Sequence, residues 1–108
     1  MKHVQLWLAI ALAMPVPSAV ATEMSGPEAQ RLVRLVRQDC GSCHGLTLKG
    51  GLGSPLLPAT LADKPAESLV AAILHGRPGT AMPPWRGLLT EQEAQWIVER
   101  LQAGFPQE

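Results

Sequence analysis

The chain has 108 residues, with nine Lys and Arg against nine Asp and Glu, so its formal charge is zero near neutral pH. That balance excludes a strongly basic nucleic-acid-binding surface, and the length allows one small domain. Aromatic residues are scarce (Trp7, Trp85, Trp96 and Phe105), so few large side chains are present to fill a core.

The N-terminus reads as an export signal. Met1-Lys2-His3 is a short charged start, Val4 to Met14 is an almost unbroken apolar run, and Pro15 to Ala21 ends in Ala19-Val20-Ala21. A charged region, an apolar region and an A-x-A site in that order define a cleaved signal peptide. The apolar run is too short to make a stable membrane span. Cleavage after Ala21 divides the chain into a signal peptide, residues 1–21, and a mature domain, residues 22–108. The mature stretch carries eight basic residues against nine acidic ones.

The first helix is predicted from Ser25 to Cys43. Ser25 and Glu28 have capping-box spacing, and Pro27 is tolerated in a first turn. Leu32, Leu35, Val36 and Cys40 recur at helical spacing and define a buried stripe. Arg31, Arg34 and Arg37 fall on another face, read here as solvated.

That helix runs into Cys40-Gly41-Ser42-Cys43-His44, which contains both cysteines of the chain. C-x-x-C-H is the attachment signature of c-type haem. Thiols three positions apart on a helical turn can each add to a haem vinyl group, and the following imidazole can bind the iron. Other readings of the pair are weaker. A thioredoxin-like motif belongs near a βαβ pattern, and no β-rich run occurs. A zinc site needs four ligands, and there is no second cysteine pair. A disulfide across two residues closes too short a loop to constrain much.

Residues 45–62 read as a loop broken by Gly50-Gly51, Gly53, Pro55 and Pro58. A second helix is expected from Pro65 to Leu74, with Asp63 as N-cap, Leu69, Ala72 and Ile73 on its apolar side, and Gly76 as its stop. Residues 77–87 form an extended turn around Met82-Pro83-Pro84-Trp85. The last helix runs from Glu91 to Ala103, with Thr90 and Glu93 as a capping box and Trp96, Ile97 and Leu101 inward. Gly104 closes it.

Two residues compete for the second axial position on the iron. His75 ends a helix, whereas Met82 sits in a loop whose prolines fix the backbone at low entropic cost. Met82 is the preferred ligand, and His/Met ligation raises the potential of a cytochrome. The Nδ1–H of His44 needs an acceptor, and the carbonyl of Pro55, in a rigid turn 11 residues downstream, is the expected one. Trp85 and Arg86 are candidates for the haem propionates. Lys49, Arg77 and Arg86, if they cluster at an exposed haem edge, would steer an acidic redox partner. A small apolar core completed by the cofactor implies that the apoprotein is largely unfolded.

These residues together resemble class I c-type cytochromes over residues 25–104. Cys40, Cys43 and His44 match the attachment motif, and Ile73-Leu74-His75-Gly76 followed by Met82-Pro83 resembles the family's helix–Gly–Met-Pro run. Gly53-Ser54-Pro55-Leu56-Leu57 resembles its Gly-Pro-x-Leu loop with one residue inserted. Trp96 stands where the family has an aromatic on the C-terminal helix, while Val36 replaces the usual aromatic four residues before the first cysteine. Leu32 to Asp39, Leu48 to Gly53 and Gly76 to Thr80 are similar to the small c55X-type cytochromes of denitrification clusters.

The resemblance implies an all-α small cytochrome c fold: crossing N- and C-terminal helices, a middle helix, and long loops wrapped around one covalent haem c. It implies a periplasmic protein, because such haems are attached outside the cytoplasmic membrane, while the small size and the need for an exposed haem edge favour a monomer. It also implies a one-electron carrier rather than an enzyme, donating to a cd1-type nitrite reductase. The alternatives are an acceptor or partner in haem d1 maturation, or a general carrier for an oxidase or dehydrogenase.

Overall fold

The computed structural model describes residues 10–16 and 24–107. The charged start at Met1-Lys2-His3 and the Ala19-Val20-Ala21 cleavage sequence lie outside the described residues. Among those described there is no strand, and no helix is long and apolar enough to cross a membrane.

Helix α1 spans Gly26–Leu35. Ser25 caps it, its Oγ accepting the Glu28 N–H at 3.3 Å, so one half of the expected capping box forms. The helical path continues to His44, but not as one uniform helix. Val36–Cys40 is a π turn in which Val36 O accepts the Gly41 N–H, and α2, Gly41–His44, follows it. The wider turn holds one more residue than an α turn. It therefore rotates the cysteines and His44 relative to the stripe of Leu32 and Val36, both of which are fully buried.

The segment after His44 turns sharply at Gly45 (φ +91°) and Gly50 (φ +104°), and each stands where a Cβ would strike a neighbouring loop residue. Leu48 adopts φ +60°, an unfavourable backbone for a branched residue, and its side chain is 2 % exposed. Burial of one leucine is worth about 1.5–3 kcal/mol, enough to hold that conformation. A short helix absent from the sequence reading, α3 (Pro58–Leu61), interrupts the expected loop. Gln102 Nε2 donates to Leu61 O and Lys64 O at 3.3 and 3.1 Å, tying the end of α3 to the last helix.

Helix α4 spans Ala66–His75. Asp63 is not its N-cap. Lys64 N–H donates to Leu61 O and closes a turn, which leaves Asp63 ahead of the cap position at Pro65. The free Pro65 carbonyl instead accepts from Ser68 and Leu69. Helix α5 spans Glu91–Ala103 with the full reciprocal capping box between Thr90 and Glu93, and ends at Gly104 (φ +114°).

α5 packs against α3 and α4, and its inward face (Ala94, Trp96, Ile97, Leu101) meets Leu32, Val33, Leu61, Leu74 and Leu89. Of the three arginines on α1 and the π turn, Arg34 is exposed as expected, but Arg31 and Arg37 are not simply solvated. Arg31 pairs with Glu93, and the Arg37 guanidinium donates to Phe105 O and Pro106 O at 2.8–3.2 Å. Arg37 also lies 5.4 Å from the Phe105 ring centroid, and Phe105 meets Trp96 edge-on. The C-terminal tail is thereby strapped across the first helical run, where the sequence suggested only a charged face.

Candidate functional site

The π turn and α2 carry Cys40, Cys43 and His44 on consecutive helical turns. Both thiols are free and half-buried. Burial, with a smaller contribution from the charge of Asp39, pushes the Cys40 thiol up to about 11. A redox-active C-x-x-C pair needs the opposite, a thiol lowered toward neutrality. Among the described residues no three His, Cys, Asp or Glu side chains converge on a common point.

His44 is held by backbone. Its Nδ1 lies 2.7 Å from Ser54 O, which fixes the tautomer with the proton on Nδ1 and leaves Nε2 for a metal. The acceptor is therefore not the Pro55 carbonyl, as expected from sequence, but the carbonyl one residue earlier, that of the Ser54–Pro55 bond. Gly53 brings the chain flat against the ring, so the next carbonyl, that of Ser54, is the one within reach. Pro55 contributes by packing its ring against Gly50.

Gly53 makes this contact possible. A Cβ at Gly53 would lie 2.8 Å from both Nδ1 and Cε1 of His44, and Gly53 N–H donates to Cys43 O at 2.7 Å. The loop thus lies flat along the imidazole. No sequence signal beyond the Gly-x-Pro wording marks this role.

Met82 stands on a loop clamped to the end of α4. Gly76 (φ +67°) turns the chain, and a Cβ there would meet Met82 O, Pro84 N and Pro83 C within 3 Å. Arg77 N–H donates to Met82 O, Trp85 N–H to Ile73 O and Arg86 N–H to Leu74 O, so residues 82–86 run back alongside 73–77. The three residues Leu74, His75 and Arg86 share a groove of about 650 Å³ between α4 and α5. Leu69 and Ile73 lie on the opposite side of α4 and are only half-buried. His75 therefore faces the groove rather than that side, which favours Met82 as the ligand. Arg86 lines the groove with Glu67, Glu91 and Glu99. Trp85 is half-buried and packs against the core.

The residues fit a covalent haem. Two free thiols lie on the helical turns that carry His44, whose Nε2 is left free, and Leu56, Leu69, Ile73 and Trp85 remain only partly covered by protein. Leu46 and Leu52, on either side of the histidine-holding loop, are 71 % and 83 % exposed. Side chains this apolar, left open beside the motif, suit a large flat hydrophobic group.

Comparisons with known proteins agree in kind. A family model described as cytochrome c oxidase, cbb3-type, subunit III, matches residues 27–99. Cytochrome c55X of Pseudomonas aeruginosa is 54 % identical over 101 residues, covering 92 % of this chain and 85 % of the relative. Cytochrome c55X of Paracoccus denitrificans is 51 % identical over 94 residues, with 87 % and 91 % covered. Among solved structures, the c-type cytochrome NirC superposes with a TM-score of 0.74 at 54 % identity, over 76 % of this chain and 96 % of that one. The dihydro-heme d1 dehydrogenase NirN, solved in complex with DHE, matches at 36 % identity and a TM-score of 0.63, over 75 % of this chain but 17 % of its own.

Proposed function

Because the chain belongs to the c-type cytochromes, within the c55X group whose cofactor is a covalently bound haem c, we propose that it is a periplasmic one-electron carrier donating to a cd1-type nitrite reductase. One haem per chain would be held through the thiols of Cys40 and Cys43, with His44 and Met82 as the side chains that would bind its iron. The bound haem supplies the one-electron ferric/ferrous couple. The chain's residues do the rest. Ser54 O holds the proton on Nδ1 of His44 and orients the ring. The clamped loop presents Met82, and the half-buried apolar side chains exclude water. With His44 and Met82 both binding the iron, no open position would remain for a substrate, and this carries the reading of a relay rather than an enzyme. The signal peptide, cleaved after Ala21, delivers the chain to the compartment where haem is attached, and a monomer suffices for the task.

The experiment is to mix the reduced protein with a cd1-type nitrite reductase and follow reoxidation in stopped flow. Fast oxidation that slows as salt is raised supports the donor role, since steered association weakens with screening. Absence of electron transfer at low ionic strength refutes it.

A second reading has its own support. A dihydro-heme d1 dehydrogenase of Pseudomonas aeruginosa is 43 % identical over 75 residues, 15 % of that relative. A module like this chain therefore occurs inside a much larger dehydrogenase. Dehydrogenation releases two electrons, and one-electron carriers remove them in two successive encounters. The chain would then accept electrons during maturation of haem d1. Deleting its gene separates the readings: a reductase lacking haem d1 indicates maturation, whereas one complete in haem d1 but starved of electrons indicates donation.

A further inference from the structure

The six residues from Arg77 to Met82 form a closed loop with most of its side chains in solvent. Its neck is the bond from Arg77 N–H to Met82 O at 3.2 Å. Inside it, one hydroxyl bridges the two arms. Thr80 Oγ1 donates to Arg77 O at 2.6 Å and accepts the Met82 N–H at 3.3 Å. Thr80 N–H reinforces the same arm by donating to Arg77 O at 3.0 Å. Gly79, at φ +79° with nothing within 4 Å of a Cβ, gives the tip no packing of its own.

We propose that Thr80 is the positioning residue that keeps Met82 in place, its hydroxyl setting how often the Met82 arm swings away from the haem. The inference rests on Met82 being an axial ligand. Its physical basis is that Pro83 and Pro84 restrain the chain directly after Met82, whereas the one proline before it in the loop, Pro78, stands four residues upstream. Before Met82, the turn Arg77–Ala81 is exposed, contains a glycine, and is held by hydrogen bonds. Removing the hydroxyl leaves Arg77 O with one donor fewer and frees the Met82 N–H. The neck bond and the Gly76 contact remain, so the loop still closes but with a larger open fraction. An external ligand that binds only the open form gains apparent affinity in proportion to that fraction. Two modest hydrogen bonds correspond to a shift of roughly tenfold.

The test is imidazole binding to the ferric holoprotein, with the methionine–iron charge-transfer band as the second readout. Thr80→Val, close in shape but without the hydroxyl, is expected to bind imidazole roughly tenfold more tightly than the native protein. Thr80→Ser, which keeps the hydroxyl, should bind it as the native protein does. Unchanged affinity in Thr80→Val overturns the proposal, and so does an equal gain in both variants, which would assign the effect to the lost methyl packing or shape. If the native protein lacks the charge-transfer band, the Met82 assignment fails instead. Should the valine variant not mature, amide exchange in the native protein decides. Protection of the Met82 N–H supports the bridge, and exchange at the rate of an unstructured peptide refutes it.

Discussion

Gly53→Ala isolates the contact that aligns His44. The added methyl would start 2.8 Å from Cε1 and Nδ1 and 3.3 Å from Cγ of the imidazole. Carbon atoms rest at about 3.5–4.0 Å, so loop and ring must separate by roughly 0.7 Å or more. Neither moves freely. Gly53 N–H is bonded to Cys43 O at 2.7 Å, Gly51 N–H to Gly53 O at 3.0 Å, and the ring to Ser54 O at 2.7 Å. Overpacking of this kind costs about 1–3 kcal/mol. Reduced freedom of the unfolded chain returns about 0.4–1 kcal/mol, leaving a net loss near 1–2 kcal/mol. Weakening the Nδ1–H bond also makes the imidazole a poorer electron donor, so the potential should rise. Denaturant unfolding of the ferric protein and a redox titration measure the two effects. Gly87→Ala is the control, since no atom lies within 4 Å of its Cβ and its backbone is ordinary. If Gly53→Ala matches Gly87→Ala in both stability and potential, the argument about the ring contact is wrong.

Three further outcomes are expected. Met82→Ala should abolish the ferric methionine–iron charge-transfer band and let the ferrous protein bind carbon monoxide, both visible in absorption spectra; a surviving band would reassign the ligand. The Cys40→Ala/Cys43→Ala chain, unable to hold haem, should be largely unfolded by circular dichroism, and near-native stability would show that protein contacts alone suffice. Arg37→Ala should lower stability by about 1–2 kcal/mol through loss of charge-assisted bonds to the tail carbonyls. Arg37→Lys should recover only part, because an ammonium cannot reproduce the guanidinium fork; denaturation midpoints test both.

What was legible in the sequence was local. α5 has both ends written in adjacent residues, a capping box at Thr90 and Glu93 and a glycine at 104, and its boundaries came out as read. The haem motif and the Met-Pro-Pro-Trp loop are likewise contiguous strings, and the all-helical cytochrome fold followed from them. The misses are of two kinds, tertiary contacts and local register. α3 is a four-residue helix that Gln102, 41 residues beyond Leu61, helps to hold. No propensity within Pro58–Leu61 could reveal it. Asp63 had the right chemistry for a cap but lost the position to a turn closed by Leu61 O. Arg31 and Arg37 looked like a solvated face because their partners, Glu93 and the Phe105 and Pro106 carbonyls, lie more than 60 residues away. The π turn is a register choice that periodicity over five residues cannot resolve. The acceptor for His44 is the carbonyl of Ser54 rather than that of Pro55, and a one-residue choice between backbone carbonyls is not encoded in side-chain identity.

That acceptor bears on how this chain can change over generations. The group that holds His44 is a carbonyl, common to all twenty amino acids, while the side chain of Ser54 points into solvent. Position 54 is thus free to drift: almost any residue there would preserve the bond. Its neighbours Gly53 and Pro55 bear the constraint through shape alone. Among natural variants, the key contact to the iron-binding histidine should sit at one of the least restricted letters of its loop, and a search for invariant residues would pass over it.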